Sequence, residues 1–329
     1  MSLPKQIDAI DAIVIRDLLI DGRKGFTEIA KEAQVSKDVI WQHYSRMKKD
    51  GTIVGATIQL DYAALGYKVS ASFIVDIPVG QQQQVIEQLR KIPGIYDAYR
   101  WGSHSRLWAV SGLMKADQIE PVKQLIKKLP SVLRLEVEIW TGVRRLPENL
   151  SVLTNEKTRS GIEKKETNIE KRVEETSFKI DETDRQIIEK LAVNGRTPFS
   201  NIGRELGISI STVIRRYKCL KRNGIIRTRI QINPAKIGYP IEASFRLTID
   251  SQRDLNSIAE KIAKVPDIVG ILKTTGAHDL TIFAEIRNLE HLVALETEIA
   301  NIQGVREMEA AVLNQFPILP YPREHTSSF

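Results

Sequence analysis

The chain has 329 residues, 42% of them apolar, and 48 basic against 41 acidic side chains give a net charge of +7. That length suits two or three domains, the apolar share excludes wholesale disorder, and no run approaches the ~18 apolar residues of a membrane span. A lone cysteine, Cys219, excludes an internal disulfide and, with five scattered histidines, a Cys-rich zinc module.

The N-terminus, Met1-Ser2-Leu3-Pro4-Lys5-Gln6, lacks a basic-then-apolar signal pattern, so the chain is expected in the cytoplasm. After it come Ile7-Asp8-Ala9-Ile10-Asp11, Gly22-Arg23 with Phe26 and Ile29, and then Ser36, Tyr44, Lys48, Gly51 and Ile53. Each returns 173 residues later, beginning with Ile180-Asp181-Glu182-Thr183-Asp184 and Gly195-Arg196 with Phe199 and Ile202. The later ones return as Ser209, Tyr217, Lys221, Gly224 and Ile226, and over 7–54 against 180–227 the identities number 15 in 48 positions. Ile58-Gln59-Leu60 and Leu65-Gly66-Tyr67 match Ile230-Gln231-Ile232 and Ile237-Gly238-Tyr239, and Gly102-Ser103-His104 answers Gly276-Ala277-His278. Chance does not keep a register this long, so the chain reads as a tandem duplication.

Residues 61–146 carry the second part of the first copy, whose cleanest strand signal is the alternation Arg134-Leu135-Glu136-Val137-Glu138-Ile139. That alternation places Glu136 and Glu138 on a solvent-facing strand edge. The segment 147–178 is rich in Glu, Lys, Arg, Thr and Asn and poor in large apolar residues; it cannot bury a core and reads as a linker, with a charged helix over Gly161–Glu175 as the alternative.

The second copy opens with Ile187, Ile188 and Leu191 at helical spacing. Thr197 as N-cap and Pro198 at the first helical position announce a short helix with Ile202 and Leu206. Gly207 supplies a tight turn, Ser209 caps a third helix, and Asn223-Gly224 ends it. Val213, Tyr217 and Leu220 share one face of that helix, leaving Arg215, Arg216, Lys218 and Arg222 for others. This is a helix-turn-helix pattern, with 225–232 as a strand or wing. Beyond it, Phe245-Leu247-Ile249 alternate as a strand, Leu255–Val265 have helical spacing, and 268–274 and 280–286 read as strands. Leu292–Ile302 form another amphipathic helix and 305–313 a last strand. The order β-α-β-β-α-β is ferredoxin-like: a four-stranded antiparallel sheet backed by two helices. The sheet's bare face needs cover, which face-to-face pairing of copies or chains supplies.

The predicted fold is therefore α+β, two copies of a winged helix-turn-helix followed by a ferredoxin-like domain. Its parts are helix-turn-helix 1 at 1–60, ferredoxin-like domain 1 at 61–146, the linker at 147–178, helix-turn-helix 2 at 179–232 and ferredoxin-like domain 2 at 233–323. Locating the charge sharpens its meaning: residues 181–239 hold 12 basic and 5 acidic side chains, a net of +7, while 8–67 hold 8 and 9, a net of −1. The excess belongs to the second helix-turn-helix.

Ile180-Asp181-x-x-Asp184, Asn194-Gly195-Arg196, Ser209-x-Ser211-Thr212-Val213-x-Arg215-Arg216, Gly224-Ile225-Ile226 and Gly276-x-x-Asp279-Leu280 carry a family likeness. On them the chain resembles the Lrp/AsnC (feast/famine) transcription regulators, once per copy. The resemblance implies a sequence-specific regulator of double-stranded DNA, oligomeric through its sensing domains and modulated by an amino acid or related small effector. Candidate DNA-contacting residues are Ser209, Ser211, Thr212, Arg215, Arg216, Lys218, Arg222, Arg227 and Arg229, the arginines serving phosphates and the recognition helix reading bases. The resemblance also places an effector near the Gly-x-x-Asp loop, at Gly276, His278 and Asp279, with Gly102 and His104 at the matching loop of copy one, where Ser105 replaces the aspartate. A β-turn with Asp279 bonding to backbone is the structural alternative.

Copy one departs from the DNA-reading pattern. Gln34 stands for Gly207, Trp41 for Ile214, and Gln42 and His43 for Arg215 and Arg216. A glutamine held at positive φ costs on the order of 1 kcal/mol. Gln is a competent adenine reader, but without a positive field the first module is expected to bind DNA weakly or to serve as a partner surface. Two strongly basic modules on a two-fold dimer of chains would then meet the half-sites of a palindrome. Neither catalytic nor metal-binding residues stand out, and no cofactor is expected. Two other readings stay open. Siroheme decarboxylases use the same modules, and Tyr99-Arg100, His104 and Leu107-Trp108 are faintly similar to their histidine-bearing strand motif; an architectural DNA binder without ligand is the other.

Overall fold

A computed structural model describes residues 7–61, 63–102, 105–154, 179–313 and 318–320. The helix offered as the alternative for the linker, 161–175, lies outside the described residues, as does His104. The described residues fall into two compact units, one drawn from 1–65, 151–238 and 316–329, the other from 66–150 and 239–315. Each unit thus combines a segment from either half of the sequence.

The first unit holds α1 (Ala9–Ile20), α2 (Phe26–Ala33), α3 (Lys37–Lys49) and β1 (Ile53–Leu60), then α6 (Glu182–Val193), α7 (Phe199–Leu206), α8 (Ile210–Arg222) and β6 (Ile226–Ile232). Both leading helices begin with a capping box, in which one aspartate accepts the N–H of the other and the second reaches back. Asp8 accepts from Asp11 N at 2.9 Å and Asp181 from Asp184 N at 2.8 Å. Helix α7 starts one residue later than the Thr197 cap implies, with Pro198 in the capping position. The turn into α3 keeps the left-handed geometry of its counterpart: Gln34 has φ 56° and ψ 39°, Gly207 φ 66° and ψ 26°. Ser36 and Ser209 then cap α3 and α8, accepting from Val39 N at 3.3 Å and Thr212 N at 3.1 Å.

The two helical modules are joined by their strands. β1 and β6 pair antiparallel, from Leu60 opposite Ile226 to Ile53 opposite Ile232. The loosely alternating 225–232 segment is thus a buried strand, because a strand from the other module covers it. The repeated Gly-Arg sits at this seam. Gly22 N donates to Thr228 O at 2.7 Å and Gly195 N to Ala56 O at 2.9 Å. A Cβ on Gly22 would lie 2.8 Å from the Arg229 backbone, and one on Gly195 2.7 Å from Thr57 O, so both positions require glycine for close approach.

The second unit has β2 (Val69–Asp76), α4 (Gln82–Leu89), β3 (Ile95–Arg100), β4 (Arg106–Leu113), α5 (Ile119–Lys127) and β5 (Arg134–Arg145). These are followed by β7 (Ile241–Ile249), α9 (Leu255–Ala263), β8 (Ile268–Thr275), β9 (Leu280–Ile286), α10 (Leu289–Ala300) and β10 (Val305–Leu313). Each set is a β-α-β-β-α-β run, and together the strands form one sheet in the order β10-β7-β9-β8-β5-β2-β4-β3. Alternation sends Phe73, Val75 and Leu107 to one helix-covered core, and Phe245, Leu247 and Ile282 to the other. The halves meet edge to edge, β5 against β8 from Ile139–Thr275 to Arg145–Gly270. They also meet across their helix-free faces, where Trp101 and Trp108 pack on Phe283 with ring centroids 5.8 and 5.4 Å apart. Face-to-face cover therefore comes from within the chain.

One consequence corrects the reading of Glu136 and Glu138 as surface residues. β5 is an interior strand between β2 and β8, and the Glu138 side chain is only 3% exposed. Arg246, 2% exposed, reaches Glu138 at 2.6 Å, Glu136 at 3.3 Å and Glu309 at 3.2 Å.

Candidate nucleic-acid interface and effector site

Helix α8 turns Val213, Tyr217 and Leu220 into the core and leaves Ser211, Arg215, Lys218 and Arg222 exposed. The three cations follow helical spacing, so they form a continuous positive flank. Ser209 is committed to the cap, and its hydroxyl lies 2.9 Å from that of Ser211 and 2.8 Å from that of the half-buried Thr212. Arg227 is half-buried on β6 opposite Gln59.

Two of the predicted DNA-contacting arginines are structural. Arg216 donates to Asp181 at 2.7 Å and to the buried Asp184 at 3.0 Å, tying α8 to the start of α6. Those hydrogen bonds hold its pKa above the ordinary arginine value against the opposing effect of burial. Arg229 is 3% exposed and donates to Leu19 O at 2.5 Å, because its strand is covered by β1 and α1. The Arg229 guanidinium is thereby withdrawn from any phosphate, while Arg216 stays 26% exposed beside its two carboxylates. In copy one the same anchor is rebuilt from different residues: His43 Nδ1 lies 2.9 Å from Asp11, and Arg46 reaches both Asp11 oxygens at 2.7 and 2.6 Å. Asp8, Asp11 and His43 bring their ligand atoms within 4.8 Å of one another, but the Arg46 guanidinium already bonds to the buried carboxylate.

The most consequential residues that sequence reasoning missed are Arg23 and Arg196. Arg23 Nε donates to Gly195 O at 2.8 Å and its Nη2 to Thr197 O at 2.6 Å, with its guanidinium 4.1 Å from the Phe199 ring centre. Reciprocally, Arg196 donates to Gly22 O at 2.9 Å and lies 5.2 Å from the rings of both Phe26 and Tyr44. Recurrence of Gly-Arg at one offset was the visible signal; that each arginine serves the other copy was not. Two helical modules thus pair inside one chain; the repeat left pairing within the chain and pairing between chains equally open, and these contacts are of the first kind.

The Gly276–Asp279 turn joins β8 to β9 at the seam between the two β-α-β-β-α-β runs. A Cβ on Gly276 (φ 139°) would lie 3.0 Å from Val137 O of β5, and one on Gly102 (φ 63°) 3.0 Å from Ala311 Cβ of β10. The two loops therefore press on the last strand of the opposite run. Asp279 is half-buried, and one carboxylate oxygen accepts the Ile249 N–H at 2.7 Å, so it closes the end of β7. His278 Nδ1 stands 3.5 Å from Glu138, and the Thr274 hydroxyl donates to His278 O at 2.8 Å. Around one loop are thus His278, Glu138 and Arg246; Ala311 takes the place of Glu138 beside the other. Burial alone would raise the pKa of Glu138, but the neighbouring His278 ring and the hydrogen-bonded Arg246 guanidinium outweigh it and hold it below the usual range.

On the same helix-free face, Glu242 and Glu285 are direct cross-strand neighbours on β7 and β9, both within 2% of complete burial. Burial, then the charges of Glu242 and Asp267, push Glu285 well above the ordinary carboxylate range. Below about pH 4 both folded and unfolded chains keep this proton; as pH rises, the unfolded chain ionises first and stability falls. Glu285→Gln is expected to raise Tm at pH 7.5 in a thermal unfolding scan, with the gain shrinking toward pH 4. A gain that is independent of pH contradicts this.

Comparison with known proteins matches the second half of the chain to two family models: the AsnC-type helix-turn-helix domain over residues 180–221 and the Lrp/AsnC ligand binding domain over 242–316. An uncharacterised HTH-type transcriptional regulator of Pyrococcus abyssi (strain GE5 / Orsay) is 35% identical over 144 residues, 43% of this chain and 89% of that protein. Regulatory protein AsnC of Escherichia coli (strain K12) is 28% identical over 138 residues, 41% of this chain and 91% of that protein. The crystal structure of the siroheme decarboxylase NirDL is similar in fold at a TM-score of 0.60 and 14% identity, covering 94% of this chain and 91% of that one. No helix among the described residues is long and apolar enough to cross a membrane. With the helix-turn-helix, the ligand binding domain and the two regulators in agreement, the chain belongs to the Lrp/AsnC family of transcription regulators.

Proposed function

We propose that this chain is a tandem-duplicated regulator, in which two winged helix-turn-helix modules and two sensing domains do within one polypeptide what two protomers would otherwise do. Its domain limits follow the sequence repeat, except that the linker begins only after Leu153, since Leu150 and Leu153 are buried and Asn149 bonds to Val265 O and Ile268 O. It acts in the cytoplasm on double-stranded DNA, read mainly by α8. The observation that carries this reading is the exposed flank of Arg215, Lys218 and Arg222 on a helix whose opposite face is fully buried. An amino-acid-like effector is held beside the Gly276–Asp279 turn, where His278, Glu138 and Arg246 supply charge of both signs; the Gly102 loop is its counterpart.

Fluorescence anisotropy with operator DNA selected from a random pool tests it. Arg215→Ala is expected to lose about 1–3 kcal/mol at its cognate base, whereas Lys218→Ala should weaken all sequences alike and flatten the salt dependence. Unchanged affinity in both variants overturns the reading, and enrichment of no motif favours an architectural binder. On this reading the chain is a regulator and not an enzyme. The fold likeness to NirDL makes the alternative concrete: added siroheme is expected to leave the Soret absorbance unshifted, and a saturable shift would favour an enzyme.

A further inference from the structure

We infer that α3 reads the second half of a non-palindromic operator, with Gln42 selecting adenine where Arg215 selects guanine. This rests on the reading of α8 as a DNA-contacting helix. Three observations carry it. First, copy one has kept the presentation geometry while changing the residues that present. The left-handed turn survives on Gln34, the Ser36 cap survives, and the anchor to the α1 capping box is rebuilt from His43 and Arg46 where copy two uses Arg216. A helix demoted to packing would have no need of this strained turn and two-residue anchor, since Ile40, Tyr44 and Met47 alone bury its inner face.

Second, the two helices belong to one compact unit and are locked by the β1–β6 ladder and by the reciprocal Gly22–Thr228 and Gly195–Ala56 bonds. The two helices are therefore held in fixed relation to one another, so that a duplex long enough to pass both would be read by both. Third, the groove-facing positions of α3 are open and chemically different. Gln42, aligned with Arg215, is exposed, and Trp41, aligned with Ile214, is 54% exposed. Glutamine pairs bidentately with adenine N6 and N7, arginine with guanine O6 and N7, and an exposed ring beside Gln42 suits the thymine methyl. Exposed Lys37, Lys48 and Lys49 provide phosphate contacts on a module with no net positive charge. In a homodimer the two reading helices are identical and the operator is a palindrome; here they differ, and so must the half-sites.

The test is selection of the full chain against a randomised duplex pool, followed by titration of variants on the enriched duplex. The expected motif has two unlike half-sites. Gln42→Ala should lower affinity roughly 5- to 150-fold for the selected duplex and abolish preference at one adenine only, leaving the guanine half-site intact. Gln42→Arg should shift selection at that position toward guanine. Gln42 is exposed, so unchanged thermal unfolding verifies that the variants fold. A palindromic motif, or a single half-site indifferent to Gln42 and sensitive to Arg215, sinks this inference and spares the DNA-binding role of α8; that pattern would fit α3 serving as a protein-docking surface. Absence of binding by the wild-type chain sinks both.

Discussion

Replacing Arg246 with alanine is expected to cost about 3–5 kcal/mol, the largest effect of any single substitution outside the apolar cores. The side chain is 2% exposed and is the cation shared by Glu138, Glu136 and Glu309, at 2.6, 3.3 and 3.2 Å. Removing it strands the Glu138 carboxylate, itself 3% exposed, with His278 at 3.5 Å as its remaining partner among the described residues. The penalty comes from the uncompensated buried charge more than from the lost attraction, because the desolvation already suffered by both ions makes an intact pair worth little. Arg246→Met with Glu138→Gln should therefore recover most of the loss, by removing the charge together with its partner. The pH dependence has a definite sign. Glu138 sits below the usual carboxylate range in the folded chain, so the stability it contributes is present above about pH 4.5 and fades as the pH falls. Thermal unfolding at pH 7.5 should show the Arg246→Ala defect at full size, roughly 2–4 °C for each kcal/mol. Equal stability of the single and double variants would refute the account.

Replacing Arg23 with alanine is expected to cost about 2–4 kcal/mol and to weaken DNA binding without touching any DNA-facing residue. Two charge-assisted hydrogen bonds to Gly195 O and Thr197 O would go, along with the contact over Phe199. Burial, its largest influence, lowers the pKa of this arginine, as expected for a guanidinium held mainly by neutral carbonyls and a ring. Lysine cannot reproduce the fork, so Arg23→Lys should recover less than half of the loss. Arg196→Ala should be milder, about 1–2 kcal/mol, since that side chain has one such bond and more distant rings. Thermal scans and anisotropy titrations of the three variants give the ranking; equal effects of Arg23→Ala and Arg196→Ala would count against it.

Much of the local structure was legible in the sequence, because caps, turns and apolar spacing act over a few residues. The Gly207 turn, the Ser209 cap and the β-α-β-β-α-β order all depend on neighbours in the chain. What escaped depended on who lies opposite. Alternation put Glu136 and Glu138 on one face of β5 but could not tell that Arg246 of β7 would reach across to that face. Basic residues at 215, 216 and 229 look alike in sequence; the carboxylates of Asp181 and Asp184 and the carbonyl of Leu19 separate the exposed one from the two committed to packing. Gly22 and Gly195 stand out in the sequence only by recurring, whereas in the fold their lack of a side chain admits the other module's backbone.

The β1–β6 ladder has a further consequence for how this protein responds to its own abundance. A pair made of separate protomers falls apart on dilution, so occupancy of its site rises with the square of concentration where the monomer prevails. Here both strands of the ladder belong to one chain, and tethering replaces the partner's concentration by an effective one that dilution leaves untouched. Occupancy of a site spanned by one chain should then grow in simple proportion to the number of copies, down to the lowest levels, and steepness could enter only where chain meets chain.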